Sequence, residues 1–72
     1  MSDIPVGAAD RLLRRSGGER VSAEASVVLR EALEDFAIEV GKKAVELAHH
    51  RHRKTIGKDD ILLALSLLRE ER

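Results

Sequence analysis

From His49 to Asp60 the chain reads HHRHRKTIGKDD. Positions 49–55 alone hold three histidines, three arginines or lysines and a threonine, and Gly57, Lys58 and two aspartates follow Ile56. Residues of these types can ligate a metal, act as a basic address tag, or grip an anion. A metal site is disfavoured, because the chain has no cysteine. No carboxylate lies between Glu46 and Asp59 to complete a tetrahedral set. His49 and His52 would share a face only if a helix ran through both. A detachable basic tag is disfavoured too, since RHRK continues directly into a patterned helix. A loop that grips an anion is the third possibility, and this stretch by itself leaves the question open.

A second group of reactive side chains is Glu34, Asp35 and Glu39. Paired carboxylates can do acid–base chemistry, but here no nucleophile, glycine-rich phosphate loop or pocket pattern accompanies them. They are read as a solvated acidic face. No catalytic residue, cofactor or metal is expected, and the chain is not expected to be an enzyme.

The elements that position these residues follow from periodicity. SAEASVVLREALEDFAIEVGKKAVELAHH opens on Ser22, a good N-cap, with Glu24 in the first turn where a carboxylate suits the helix dipole. Its apolar residues recur at three- and four-residue spacing from Ala25 to Ala48, which predicts a helix over about 22–50. Such a helix is about 43 Å long at 1.5 Å per residue, against a diameter of about 30 Å for a compact domain of this size. Its own chain cannot wrap it. Shorter helices are predicted at about 5–15, with Gly17-Gly18 as the stop, and about 58–70, with Asp59 and Asp60 in the first turn. Their expected inner faces are Ile4, Ala8 and Leu12, and Ile61, Ala64, Leu65 and Leu68. GGERVS and RKTIG, between helices, each have β-branched residues suited to a strand of two or three residues. The result is one all-α domain over 1–72.

At 72 residues the chain is expected to bury only about 60% of its unfolded surface. Without disulfides, oligomerisation is the remaining route to stability. No apolar run reaches the ~18 residues of a membrane span. The N-terminal MSDIPVGAAD lacks the blocks of a signal peptide, so a cytoplasmic location without membrane contact is expected. Phe36 is the single aromatic residue, which nearly excludes base stacking on aromatic platforms. Net charge is zero, yet its distribution is uneven: residues 1–20 carry +1, 21–40 carry −4, 41–58 carry +5 and 59–72 carry −2. A polyanion would meet the local field of 42–58 rather than the total.

GERVS (18–22) and RKTI (53–56), followed by Asp60-Ile61 within a short, long, short series of helices, resemble the archaeal-type histone family over about Ile4 to Leu68. The resemblance implies the histone fold, an intertwined dimer of long crossed helices with loop 1 of one protomer beside loop 2 of the other. It also implies double-stranded DNA as partner, bound without sequence preference and held in the nucleoid or on the chromosome. In the same way Arg20 matches the minor-groove arginine, Thr55 the threonine that orients it, and Lys54 a phosphate-binding lysine. Arg11 and Arg14 match basic positions of the first helix, and Ser22 would stand near a phosphate. Arg53 and Asp60 match an intrachain pair that clamps loop 2. Leu47, His50, Asp60 and Leu63 match a contact between dimers, through which a homodimer would grow into tetramers or filaments. The implied activity is bending, wrapping and compaction of DNA. Two readings compete with it: a protein-interaction module, and a histone that coats or bridges DNA without wrapping. Ser26, Ile38 and Gly57 occupy positions that are often basic in that family.

Overall fold

The computed structural model describes residues 2–70, so Met1, Glu71 and Arg72 of the expected domain lie outside the described residues. Three helices are formed: α1 (Val6–Arg15), α2 (Ala23–His50) and α3 (Lys58–Glu70). The chain divides between Phe36 and Ala37 into two compact units, and α2 supplies residues to both.

In the first unit α1 opens on Pro5, whose fixed φ of −66° suits a helix start and whose missing N–H costs nothing there. Ala9 is its fully buried residue, while Leu12, expected on the inner face, is 43% exposed. The inner face is turned by one residue, so that Ala9 and half-buried Leu13 face inward. The segment before α1 is tied down by Glu34, whose Oε2 accepts the N–H of Ile4 at 2.8 Å and of Asp3 at 2.7 Å. Chiefly the Ile4 bond, with help from the Asp3 bond and the charge of Arg30, holds the Glu34 carboxyl below its ordinary value against an opposing desolvation. Glu34 is therefore more than a solvated acid, contrary to the expectation for its cluster.

In the second unit the core is Val40 and Ala44 of α2 with Ala64 and Leu68 of α3, and Leu47 and Leu65 pack against it. Ala44 and Ala64 are both fully buried. Alanines at the contact let two helices approach closely, so the core is thin and leaves little volume for larger side chains. Ile61, expected inside, is at the margin with 36% exposure.

Both α1 and α2 end in the same hydrogen-bond pattern. After α1, Gly18 N–H donates to Leu13 C=O and Gly17 N–H to Arg14 C=O. After α2, Arg53 N–H donates to Ala48 C=O and His52 N–H to His49 C=O. These are Schellman motifs, which need a left-handed residue at their turning point. Gly17 fills that place at φ 109°, whereas at the end of α2 it falls to His52 at φ 60°.

The expected strands are absent: among the described residues neither 18–22 nor 53–57 is extended in a ladder. A strand exists only through a hydrogen-bonded partner, and the backbone bonds of these segments are confined to helix ends and turns. Much apolar surface is also uncovered. Val28, Ile38 and Leu62 are more than half exposed, and Phe36, Val45 and Leu63 more than a third.

Two outcomes are expected. His52→Gly removes a left-handed cost of about 1–2 kcal/mol, part of which returns as unfolded-state entropy, so it stabilises by about 0.5–1 kcal/mol in chemical denaturation at fixed protein concentration. Because the Glu34 pKa is lowered on folding, its stabilisation is complete above the unfolded value near 4.5 and is lost as pH falls through the folded value. Protection of the Asp3 and Ile4 amides, relative to the unstructured rate at the same pH, should fall in that acid range, and Glu34→Gln should remove that fall.

Candidate nucleic-acid interface

Each unit carries an exposed basic loop at a helix terminus. In the first unit Arg20 is exposed in the loop that leads to α2. Ser22 caps that helix: its Oγ accepts the N–H of Ala25 at 3.0 Å and its C=O the N–H of Ser26 at 3.3 Å. The first-turn N–H groups of Ala23 and Glu24 have no intrahelical acceptor, and helix N-termini attract anions for that reason. Leu13, Gly18, Arg20, Val21, Ser22 and Ala25 together line an open depression.

Arg11 and Arg14 are exposed on α1. Arg14 Nε donates to Asp10 Oδ2 at 3.0 Å, with the arginine side chain 52% exposed. An exposed i,i+4 pair contributes only about 0.3–0.5 kcal/mol, too little to withhold Arg14 from a phosphate. Ser26, by contrast, is buried and offers an anion nothing.

In the second unit Lys54 and Thr55 are exposed at the crest of the loop between α2 and α3. The clamp beneath them differs from the expected Arg53–Asp60 pair. Arg51 Nη1 lies 2.6 Å from Asp59 Oδ2 and 3.5 Å from Asp60 Oδ1, whereas Arg53 Nη1 reaches Asp59 Oδ2 at 3.5 Å. Asp60 is fully buried, and its Oδ2 accepts the Gly57 N–H at 2.9 Å. This is the backward arm of a capping box, from the third helical residue to the N-cap. Asp60 thus secures the start of α3 while facing Arg51, and Asp59 is the carboxylate that both loop arginines reach.

Desolvation, the largest single influence on Asp59, pushes its carboxyl up. The hydrogen bond and charge of Arg51, the charge of Arg53 and the Asp60 N–H together outweigh it and hold the group below its ordinary value. The pairing of Arg51 with Asp59 escaped the reading of the sequence, because two arginines flanking His52 and two adjacent aspartates admit several pairings. That of Glu34 left no signal, since its partners are 30 and 31 residues away.

Leu47 is half-buried, and His50 and Leu63 are exposed. Lys43, Glu46, Leu47, His49, His50 and Leu67 line an open groove where α2 ends. Asp60, assigned to the same contact from the sequence, is closed off inside its own chain. His49 lies within α2 but His52 lies beyond its end. Among the described residues no group of three or more His, Cys, Asp or Glu is placed to hold a metal ion, and no helix is long and apolar enough to cross a membrane.

With this geometry in place, similarity to known proteins is specific. The family described as histone-like transcription factor (CBF/NF-Y) and archaeal histone matches residues 2–65. The chain is 51% identical over 65 residues to one of the subunits of archaeal histone HAN1 from Thermococcus zilligii, covering 90% of this chain and 97% of that protein. It is 42% identical over 65 residues to probable archaeal histone 3 of Methanocaldococcus jannaschii, with the same coverage of each.

Asp60→Ala is expected to destabilise the protein by about 1–3 kcal/mol, because it deletes a buried acceptor and leaves the Gly57 N–H unpaired. Thermal denaturation reads the loss, and amide exchange at Gly57 and Ile61 should rise with it.

Proposed function

The chain belongs to the histone-like transcription factor (CBF/NF-Y) and archaeal histone family, and from that premise we propose that it binds double-stranded DNA without sequence preference and compacts it by bending and wrapping. The carrying observation is the pair of exposed basic loops set at helix ends, Arg20 with Ser22 in one unit and Lys54 with Thr55 in the other. Zero net charge does not oppose this reading, since phosphates respond to charge within about 10 Å at 0.1 M salt. Arg20 enters a minor groove, drawn by its concentrated negative potential and indifferent to base identity. Lys54, Arg11 and Arg14 neutralise phosphates, Thr55 of one protomer orients Arg20 of the other, and the Ser22-capped helix start takes a backbone phosphate. None of these roles involves bond making, and the protein acts on the chromosome as a packing element rather than as an enzyme.

The functional unit is a homodimer in which both units of each chain join one histone-fold domain. The apolar surface left open at Val28, Phe36, Ile38 and Val45 supports this, as burying a side chain of this kind is worth about 1.5–3 kcal/mol. Dimers stack further through Leu47, His50 and Leu63, with Asp60 contributing from beneath by holding the loop. One relative is named as a subunit, which makes a second histone chain the alternative partner.

Binding of a random-sequence duplex, titrated across salt while DNA end-to-end distance is followed, tests the proposal. Wild type should bind with a log K against log salt slope of about −0.9 per neutralised phosphate and shorten the DNA. Arg20→Ala should weaken binding and lose the shortening. Binding without shortening would indicate coating or bridging, and absence of salt-dependent binding would point to a protein-interaction module.

A further inference from the structure

The Arg51–Asp59–Arg53 cluster does more than brace a loop. One carboxylate oxygen, Asp59 Oδ2, stands 2.6 Å from Arg51 Nη1 and 3.5 Å from Arg53 Nη1. Two guanidinium groups converging on one oxygen can take a phosphate oxyanion as well as a carboxylate. The arginine nearer the interior is anchored from below, because buried Asp60 lies 3.5 Å behind Arg51 and cannot follow a ligand outward. The occupant, however, is replaceable. The Asp59 side chain is 53% exposed, and an exposed ion pair is worth about 0.2–1 kcal/mol.

Gly57 permits this seating. A Cβ at that position would lie 2.8 Å from Asp59 Oδ1, closer than real Cβ contacts come, so any larger residue would push the carboxylate aside. Glycine at 57 and aspartate at 59 act as one arrangement. Lys54 and Thr55, which carry the DNA reading, follow Arg53 in the same loop.

We propose that Arg51 and Arg53 form a phosphate site that Asp59 fills as an internal counterion in the free protein, and that a backbone phosphate of bound duplex displaces it. This rests on the DNA-binding reading above. No bond is made or broken; the carboxylate swings into solvent and the phosphate oxygen takes its two donors. The free protein therefore presents fewer available cations than its sequence counts, and binding strength is set partly by a competitor built into α3.

Duplex affinity across salt tests this in wild type and five variants, each checked for helicity and thermal stability. Asp59→Asn should tighten binding about two- to fivefold per protomer with an unchanged salt slope, since it removes a competitor and adds no contact. Gly57→Ala should act in the same direction without altering any charge, and Asp35→Asn, the same charge change placed on α2 instead, should have less effect than Asp59→Asn. Arg53→Gln and Arg51→Gln should each lower the slope, by no more than about 0.9 per protomer because the two share one phosphate, whereas arginines that only brace the loop would leave the slope untouched.

Inorganic phosphate, followed through the Arg51 and Arg53 Nε–H resonances, provides an arm free of DNA. It should perturb them at lower concentration in Asp59→Asn than in wild type. Unchanged slopes in both arginine variants, or equal binding by wild type, Asp59→Asn and Gly57→Ala, would overturn the proposal. Should wild type fail to bind duplex, the functional reading falls and with it the backbone phosphate as ligand; a phosphate response would then retain the site, and silence in both arms would remove it.

Discussion

The structure depends on one imbalance: α2 offers more apolar surface than two short helices can cover. Ala9 and its neighbours shield part of it in the first unit, and Ala64 and Leu68 shield part in the second. The core of the second unit is thin, with a fully buried alanine on each of its two helices. Val28, Phe36, Ile38 and Val45 stay at the surface, so the hydrophobic term that stabilises most domains is only partly realised within one chain. Everything else about the protein is consistent with a second chain completing that burial. Strand pairing belongs to the same account, because segments 18–22 and 53–57 have the residues for short strands and, among the described residues, pair with no other segment.

The side chains proposed to meet DNA are gathered where helices stop and start. Helix ends must find partners for backbone groups that the helix leaves unpaired, and this need shapes both loops. Two Schellman turns reverse the chain after α1 and α2, Ser22 caps the start of α2, and Asp60 caps the start of α3. The loops that result are short, fixed at both ends, and raise Arg20, Lys54 and Thr55 outward. Precision in placing these side chains comes from backbone accounting rather than from a pocket. At the end of α2 that precision is achieved with a strained residue, His52, where Gly17 does the same work in the first loop without strain.

Charge follows a parallel logic. The chain is neutral in total, and the ion pairs seen are mostly exposed and individually weak. Their importance lies in where they leave cations free and where they occupy them. Asp10 barely restrains Arg14, while Asp59 engages two arginines at once and Asp60 steadies one of them from the interior. A buried carboxylate facing a guanidinium gives geometry more reliably than net stability, and here it orients the loop.

The sequence alone determined the three helices, since spacing and capping residues act within a turn or two of where they stand: Ser22, Gly17 and the apolar rhythm from Ala25 to Ala48 were all legible. It also determined the family resemblance, through GERVS and RKTI, and the surplus length of the second helix. The tertiary structure decided what depends on contacts distant in the chain or on choices among near-equivalent neighbours. Ala9 rather than Leu12 is buried, because a helix face is chosen by the surface it meets and a rotation of one residue costs the periodicity nothing. Glu34 secures Asp3 and Ile4 across some thirty residues, a distance that no local pattern reports. Arg51 rather than Arg53 approaches Asp60, because the left-handed turn at His52 redirects the chain between the two arginines, and that turn is a property of backbone angles rather than of residue order.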